Sequence, residues 1–273
     1  MLAISSNIAI IIEESFYMEV FNFLKNIYKG ENALANHITL FSLAGIMVIL
    51  LSCYSASWGN LILPNVFIAP PESRLELTIE LFFGFLIAIY LTGYSFSFVN
   101  LRFNNEFVGI PEFNSRPFSL FLKFLPVFII WLLYYTLFLV GGVLVFLNAN
   151  QIVLLYIFVS IMICLIPFIM LLFINFSKNF KYERKLFNPL YILRYVDKAL
   201  GDIIYLSVEV FIMFAIVSSA IFYITTIHLK SDSLRLAIWL MSSCVWIYSV
   251  LIFKYVYYTG LVKIINKHPE FNN

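Results

Sequence analysis

Residues 125–176 read LPVFIIWLLYYTLFLVGGVLVFLNANQIVLLYIFVSIMICLIPFIMLLFINF, and no Asp, Glu, Lys or Arg interrupts them. The stretch divides into two runs, 125–147 and 151–176, each longer than the ~20 residues a helix needs to cross a hydrocarbon core of about 30 Å. Between them stands only Asn148-Ala149-Asn150, a turn signal too short for anything but an antiparallel helical hairpin. Such a hairpin would expose too much apolar surface in water. In lipid it is stable, because a helix satisfies its own backbone hydrogen bonds.

Four further apolar runs lie outside this hairpin, at about 38–56, 77–99, 203–228 and 236–258. The predicted fold class is therefore all-α: an integral membrane helical bundle of about six transmembrane helices, in one polytopic domain covering 1–273. Composition agrees. Hydrophobic residues make up 62% and charged residues 12%, against roughly 45–50% and about 25% in ordinary globular domains. A net charge of +2 is too small to point to nucleic acid. Cys53, Cys164 and Cys244 lie inside apolar runs without metal-ligand spacing, and read as small packing residues. The opening MLAISSNIAIIIEE has no basic residue before its apolar patch, so no cleaved secretory signal is expected. Neither a CaaX box nor a glycine at position 2 is present to suggest lipidation.

Orientation follows from the basic residues. Of the 17 Lys and Arg, thirteen fall on one side of a six-span arrangement: Lys25 and Lys29; Arg102, Arg116 and Lys123; six between Lys178 and Lys198; Lys263 and Lys267. Three fall on the other side (Arg74, Lys230, Arg235), and Lys254 lies within the sixth run. The positive-inside rule places both termini in the cytoplasm. An odd number of spans would destroy the asymmetry.

Three cytoplasmic stretches carry amphipathic spacing suited to a membrane surface. About 15–29 sets Phe16, Val20, Phe23, Leu24 and Ile27 opposite Glu19, Asn22, Asn26 and Lys29. Residues 117–124 lead to Pro126, a bend signal. The third begins at Asn188-Pro189, an N-cap followed by proline at the first helical position. Each precedes a pair of runs, and Phe-Leu-Lys occurs in two of them, which suggests a threefold plan of surface helix plus two spans. The loop from Trp58 through Pro70-Pro71 reads as lying in the outer interface, with a re-entrant segment as the alternative.

The second run ends in Gly93-Tyr94, followed by Arg102, Pro111-Glu112-Phe113, Phe118 and Lys123. This order resembles the prokaryotic membrane-protein family termed domain of unknown function 4013. Ile110 stands here where leucine is usual, and no glycine precedes Lys123. The resemblance covers roughly 77–147 and implies a polytopic helical fold, with no activity attached. Read physically, Gly93 permits close helix approach, Tyr94 suits an interface, and Pro111-Glu112 starts a turn.

Ionisable residues at membrane depth are functional candidates. Glu209 and Lys254 lie near the cytoplasmic ends of the last two runs, and an ion pair between them is expected. It would serve as a structural clasp or in ion coupling, unless Lys254 merely snorkels to the interface. Pro167 kinks the fourth run. Motifs for nucleotide binding, zinc hydrolysis, a nucleophile elbow or a redox dithiol are absent from the sequence. No catalytic, cofactor or metal residues are therefore assigned.

The sequence favours a non-catalytic membrane subunit or accessory protein of a prokaryotic cytoplasmic membrane, with a partner docking on the basic stretch 177–202. One alternative is a permease subunit for an apolar or lipid-like cargo, with a separate ATPase if driven by ATP. The other is a lipid-acting membrane enzyme.

Overall fold

The computed structural model describes residues 20–30, 32–58, 74–104, 109–149, 170–171, 173–225 and 232–268. Among these, five long helices account for nearly everything: α1 (Ala33–Trp58), α2 (Arg74–Phe103), α3 (Arg116–Ala149), α4 (Pro189–Thr225) and α5 (Asp232–Lys267). A short 3-10 helix, Arg184–Phe187, precedes α4, and residues 20–27 and 173–179 are also helical. All five long helices are long and apolar enough to cross a membrane. The chain is thus an all-helical, multi-pass membrane protein by length and composition. The fourth run, 151–176, lies mostly outside the described residues, as do residues 15–19 of the first amphipathic stretch and most of the loop after Trp58.

Two of the expected surface helices are not separate elements. Residues 117–124 are the first turns of α3, which continues through Pro126 to Ala149. The stretch after Asn188 is the start of α4, which runs unbroken for 37 residues. Pro126 follows the first amphipathic part without ending the helix, and no proline follows the second within α4. The cap expected at Asn188 is present, and Asn114 makes a similar bond that was not anticipated from the sequence. The side-chain oxygen of Asn188 accepts from the Leu190 amide at 3.0 Å, and that of Asn114 accepts from the Arg116 amide at 2.9 Å. Each satisfies a donor left over at a helix start.

At 1.5 Å per residue, α2, α4 and α5 span about 45–55 Å, well beyond a hydrocarbon core of about 30 Å. The N-terminal halves of α1, α3 and α4 and the C-terminal halves of α2 and α5 meet at the basic end of the bundle, and nearly all buried residues are there. In α2, Leu91, Tyr94, Phe96, Phe98 and Val99 are buried, whereas Ile79, Leu81, Phe82, Phe83 and Phe85 are exposed. In α5, burial is concentrated between Leu251 and Ile265, while Leu234, Met241, Val245, Trp246 and Val250 are exposed. α4 repeats the pattern with Ala199, Ile203 and Leu206 buried and Phe211, Ile216, Phe222 and Tyr223 exposed.

The packing follows from this division. α2 packs chiefly on α3 and α4 chiefly on α5, while α1 lies against α5 and α2. Rings join the layers. Tyr255 of α5 lies 4.9 Å from Phe98 and 6.1 Å from Tyr94, and Phe124 of α3 lies 4.6 Å from both Phe96 and Phe173. On the α1–α5 contact, a Cβ added at Gly45 would stand 3.7 Å from the Cys244 sulfur, so this cysteine packs between helices.

Candidate functional site

The residues of the Gly-Tyr to Pro-Glu-Phe pattern come together at the basic end. The turn 109–116 folds back along α2, and the Tyr94 hydroxyl donates to the Pro111 carbonyl. Phe113 stacks on Tyr94 at 4.4 Å between ring centroids, and the Tyr90 hydroxyl donates to the Asn114 carbonyl at 3.0 Å. Gly93 makes this approach possible, because a Cβ there would stand 1.9 Å from the Pro117 carbonyl oxygen. Gly109 plays the same part toward the first segment, with its missing Cβ 1.9 Å from the Lys29 carbonyl oxygen. Asn32 donates to the exposed Glu112 carboxylate, and Asn36 to the Ile110 carbonyl at 3.2 Å. Gly30, with φ of +130°, turns the chain from the 20–27 helix into α1 in a conformation that only glycine adopts readily. The turn thus ties α1, α2, α3 and the first segment to one another. Tyr94 is wholly buried, not placed at an interface as its position in the sequence suggested. Arg102 lies apart from this cluster, its guanidinium 5.2 Å from the Phe98 ring centroid.

The connector from 177 to 188 is also fixed. Asn100 donates to the Ser177 and Lys178 carbonyls at 2.8 and 2.9 Å. The Trp131 indole N–H donates to the Leu186 carbonyl at 2.6 Å, and the Tyr182 hydroxyl to the Lys123 carbonyl. Phe180 adopts a positive φ of 52° while its amide closes on the Phe176 carbonyl at 2.8 Å, which ends the preceding helix. A left-handed phenylalanine is costly, and its ring offsets part of that cost by packing 5.8 Å from Phe176. Lys181, Arg184 and Arg194 project outward from this braced base, while Lys185 pairs with Glu183 at 2.7 Å.

Glu209 and Lys254 do not meet. Glu209 is buried on α4. The Lys254 ammonium lies 5.6 Å from the Tyr258 ring centroid and faces a cavity of about 310 Å³ bounded by α2, α3 and the segment bearing Met170, Phe173 and Ile174. The expected pairing fails because Lys254 is off the α5 face that touches α4. That face carries Trp246, Tyr257 and Gly260, which contact Ser218, Ser207 and Leu206.

Two polar clusters went unread in the sequence. His37 stacks on Tyr28 at 4.3 Å, bonds the Ile27 carbonyl through Nε2 at 3.2 Å and contacts the Tyr248 hydroxyl through Nδ1 at 2.7 Å. Since a carbonyl only accepts, Nε2 carries a proton, and the Tyr248 hydroxyl also donates to the Tyr28 hydroxyl at 3.3 Å. At the end of the bundle, Asp202 accepts from Lys267 at 2.9 and 3.0 Å and contacts His268 at 3.3 Å, joining the start of α4 to the end of α5. Lone histidines far apart in sequence gave no signal for either cluster. Among the described residues, no three His, Cys, Asp or Glu side chains are grouped to hold a metal.

Comparison with protein-family models, curated proteins and solved structures matches nothing to this chain.

Proposed function

We propose that the chain is a non-catalytic subunit or accessory component of a prokaryotic cytoplasmic membrane, and that it presents a rigid basic platform to a protein partner. In this reading the bilayer surrounds the end where Ile79 to Phe85, Phe211 to Tyr223 and Leu234 to Val250 are exposed. The packed end stands in the cytoplasm with both termini, as the excess of Lys and Arg there favours. The resemblance to domain of unknown function 4013 belongs to the same proposal. Its pattern residues would then hold the platform together.

The observation that carries the reading is the braced connector. Segments that only join helices are free to move, and an ordered loop held at several points by a scaffold is where binding residues are commonly placed. Here the bonds from Asn100, Trp131 and Tyr182 hold the backbone, while Lys181, Arg184 and Arg194 remain exposed. A fixed array of cations suits an acidic protein surface, because less side-chain and loop ordering remains to be done on binding.

The test is affinity purification from native membranes in mild detergent, comparing the wild type with the triple variant Lys181→Glu, Arg184→Glu, Arg194→Glu. A stoichiometric partner held by the wild type and lost by the variant supports the platform. A wild type that runs alone, or a variant that keeps its partner, ends it. Topology is checked by impermeant maleimide labelling of cells in a cysteine-free background. A cysteine at position 184 should react only after permeabilisation, and one at position 233 before it.

A further inference from the structure

The geometry points to a binding site for a long-chain fatty acid, with its carboxylate on Lys254 and its chain in the apolar cavity between α2, α3 and α5. This goes beyond the platform and does not depend on it.

Lys254 is largely buried. An ammonium taken out of water is costly unless an opposite charge meets it. Among the described residues, no carboxylate lines the cavity, and residues 151–169, which lead into Met170, contain no Asp or Glu at all. The Tyr258 ring at 5.6 Å offsets only part of the lost hydration. The ammonium is thus aimed into an apolar space, with no counter-charge lining it among the described residues.

The walls select the class of anion. Phe124, Phe128 and Phe173 line the cavity and offer nothing to solvate an inorganic ion. Of the three hydroxyls present, Thr92 and Ser95 donate to their own helix, at the Ala88 and Leu91 carbonyls, both at 2.7 Å, which leaves the Tyr258 phenol beside Lys254. One cation with a single phenol beside it matches a singly charged head better than a phosphomonoester. The volume of about 310 Å³ lies at the lower edge of small-molecule sites, about 300–1,000 Å³. That suits one acyl chain better than the two of a phospholipid. Phe128, at the rim, is 40% exposed and continues into exposed Ile129, Leu132 and Leu133. The cavity therefore opens sideways onto an exposed apolar surface, a path by which the tail of an amphiphile can enter.

The test uses native mass spectrometry of the full-length protein in detergent, titrated with oleate, methyl oleate or dioleoylphosphatidylglycerol. One oleate per chain is expected, with methyl oleate weaker by about tenfold or more, the scale of one charge-assisted hydrogen bond. Lys254→Met should reduce oleate to the level of the ester and leave the ester unchanged. Equal binding of acid and ester by the wild type would overturn the assignment, as would full retention of oleate by Lys254→Met. Displacement of oleate by phosphatidylglycerol would overturn the single-chain occupant. The acid–ester comparison needs no variant, so it decides the matter even if Lys254→Met fails to fold.

Discussion

The two ends of this bundle are built from the same helices and follow different packing rules. At the basic end, rings interlock and backbone approaches backbone, as in the interior of a soluble domain. At the opposite end, large apolar side chains point outward from α2, α4 and α5. Within α2 alone the change occurs between Phe85, 61% exposed, and Leu91, 5% exposed, less than two helical turns. Lipid explains the tolerance at the exposed end, because hydrocarbon leaves little reason to bury Phe or Leu against another helix. With the other end in the cytoplasm, as proposed, water would favour its tighter packing, since exposed apolar surface is penalised there. The lesson is that one long apolar helix can be closely packed by protein along half of its length and left open along the other half.

The largest effect should come from Gly93. In Gly93→Ala, the new methyl meets the Pro117 carbonyl, a backbone atom 1.9 Å away that no rotamer change can move. The cost should exceed the ~1–3 kcal/mol of ordinary overpacking. The variant should fail to elute as a monodisperse species in size-exclusion chromatography. A well-behaved Gly93→Ala protein would mean that the turn 109–117 does not lie against α2.

Next in size is a matched pair of truncations. Phe98→Ala removes a fully buried ring that packs on Tyr255 and should cost about 3–5 kcal/mol. Phe222→Ala removes a ring that is 71% exposed and should cost under about 0.5 kcal/mol. Unfolding in graded detergent denaturant measures both. Similar costs would erase the distinction between the two ends.

This distinction was only half legible in the sequence. Apolar run length gave the helices and their all-α class, because hydropathy reports whether a segment avoids water. It does not report whether protein or lipid replaces the water, so Tyr94 and Phe82 looked alike. The amphipathic starts at 117–124 and 189–200 were visible, but their fusion to the following helices was not. At 189–200 fusion depends on the absence of a stop, a weaker signal than a cap, and at 117–124 the helix runs through Pro126, which reads as a bend. Gly93 and the Pro111 turn were legible because close approach and turning demand particular residue types. Lys254 stood out as a charge in an apolar run. Its neighbours did not, since rotation about the helix axis decides whether α4 or α2 faces it.

A smaller effect is expected at the connector. Trp131→Phe keeps a ring on α3 but removes the indole donor to the Leu186 carbonyl, leaving that acceptor unsatisfied at a cost of about 1–3 kcal/mol. Global stability should change little if the connector opens locally. Trypsin cleavage at Lys181, Arg184 or Lys185 should then accelerate by about 5- to 30-fold, the factor that one or two kcal/mol gives. An unchanged cleavage rate would mean that the connector is held by its other bonds alone. The basic platform would not then depend on this contact.

The smallest effect should be at Gly84, which lies in the same helix as Gly93 but in its exposed half. A Cβ built there meets nothing within 4 Å, so Gly84→Ala adds a methyl without a clash. Alanine is favoured over glycine in a helix interior by roughly 0.5–1 kcal/mol. The variant should therefore be as stable as the wild type or slightly more so, in the unfolding assay used for Phe98→Ala and Phe222→Ala. Destabilisation would show that the space beside Gly84 is occupied in the membrane by something more closely packed than lipid. It would then have to be another protein surface, since acyl chains move aside for one methyl group and a packed helix does not. Two glycines nine positions apart thus read out, by the same substitution, which part of α2 is packed by protein and which by hydrocarbon.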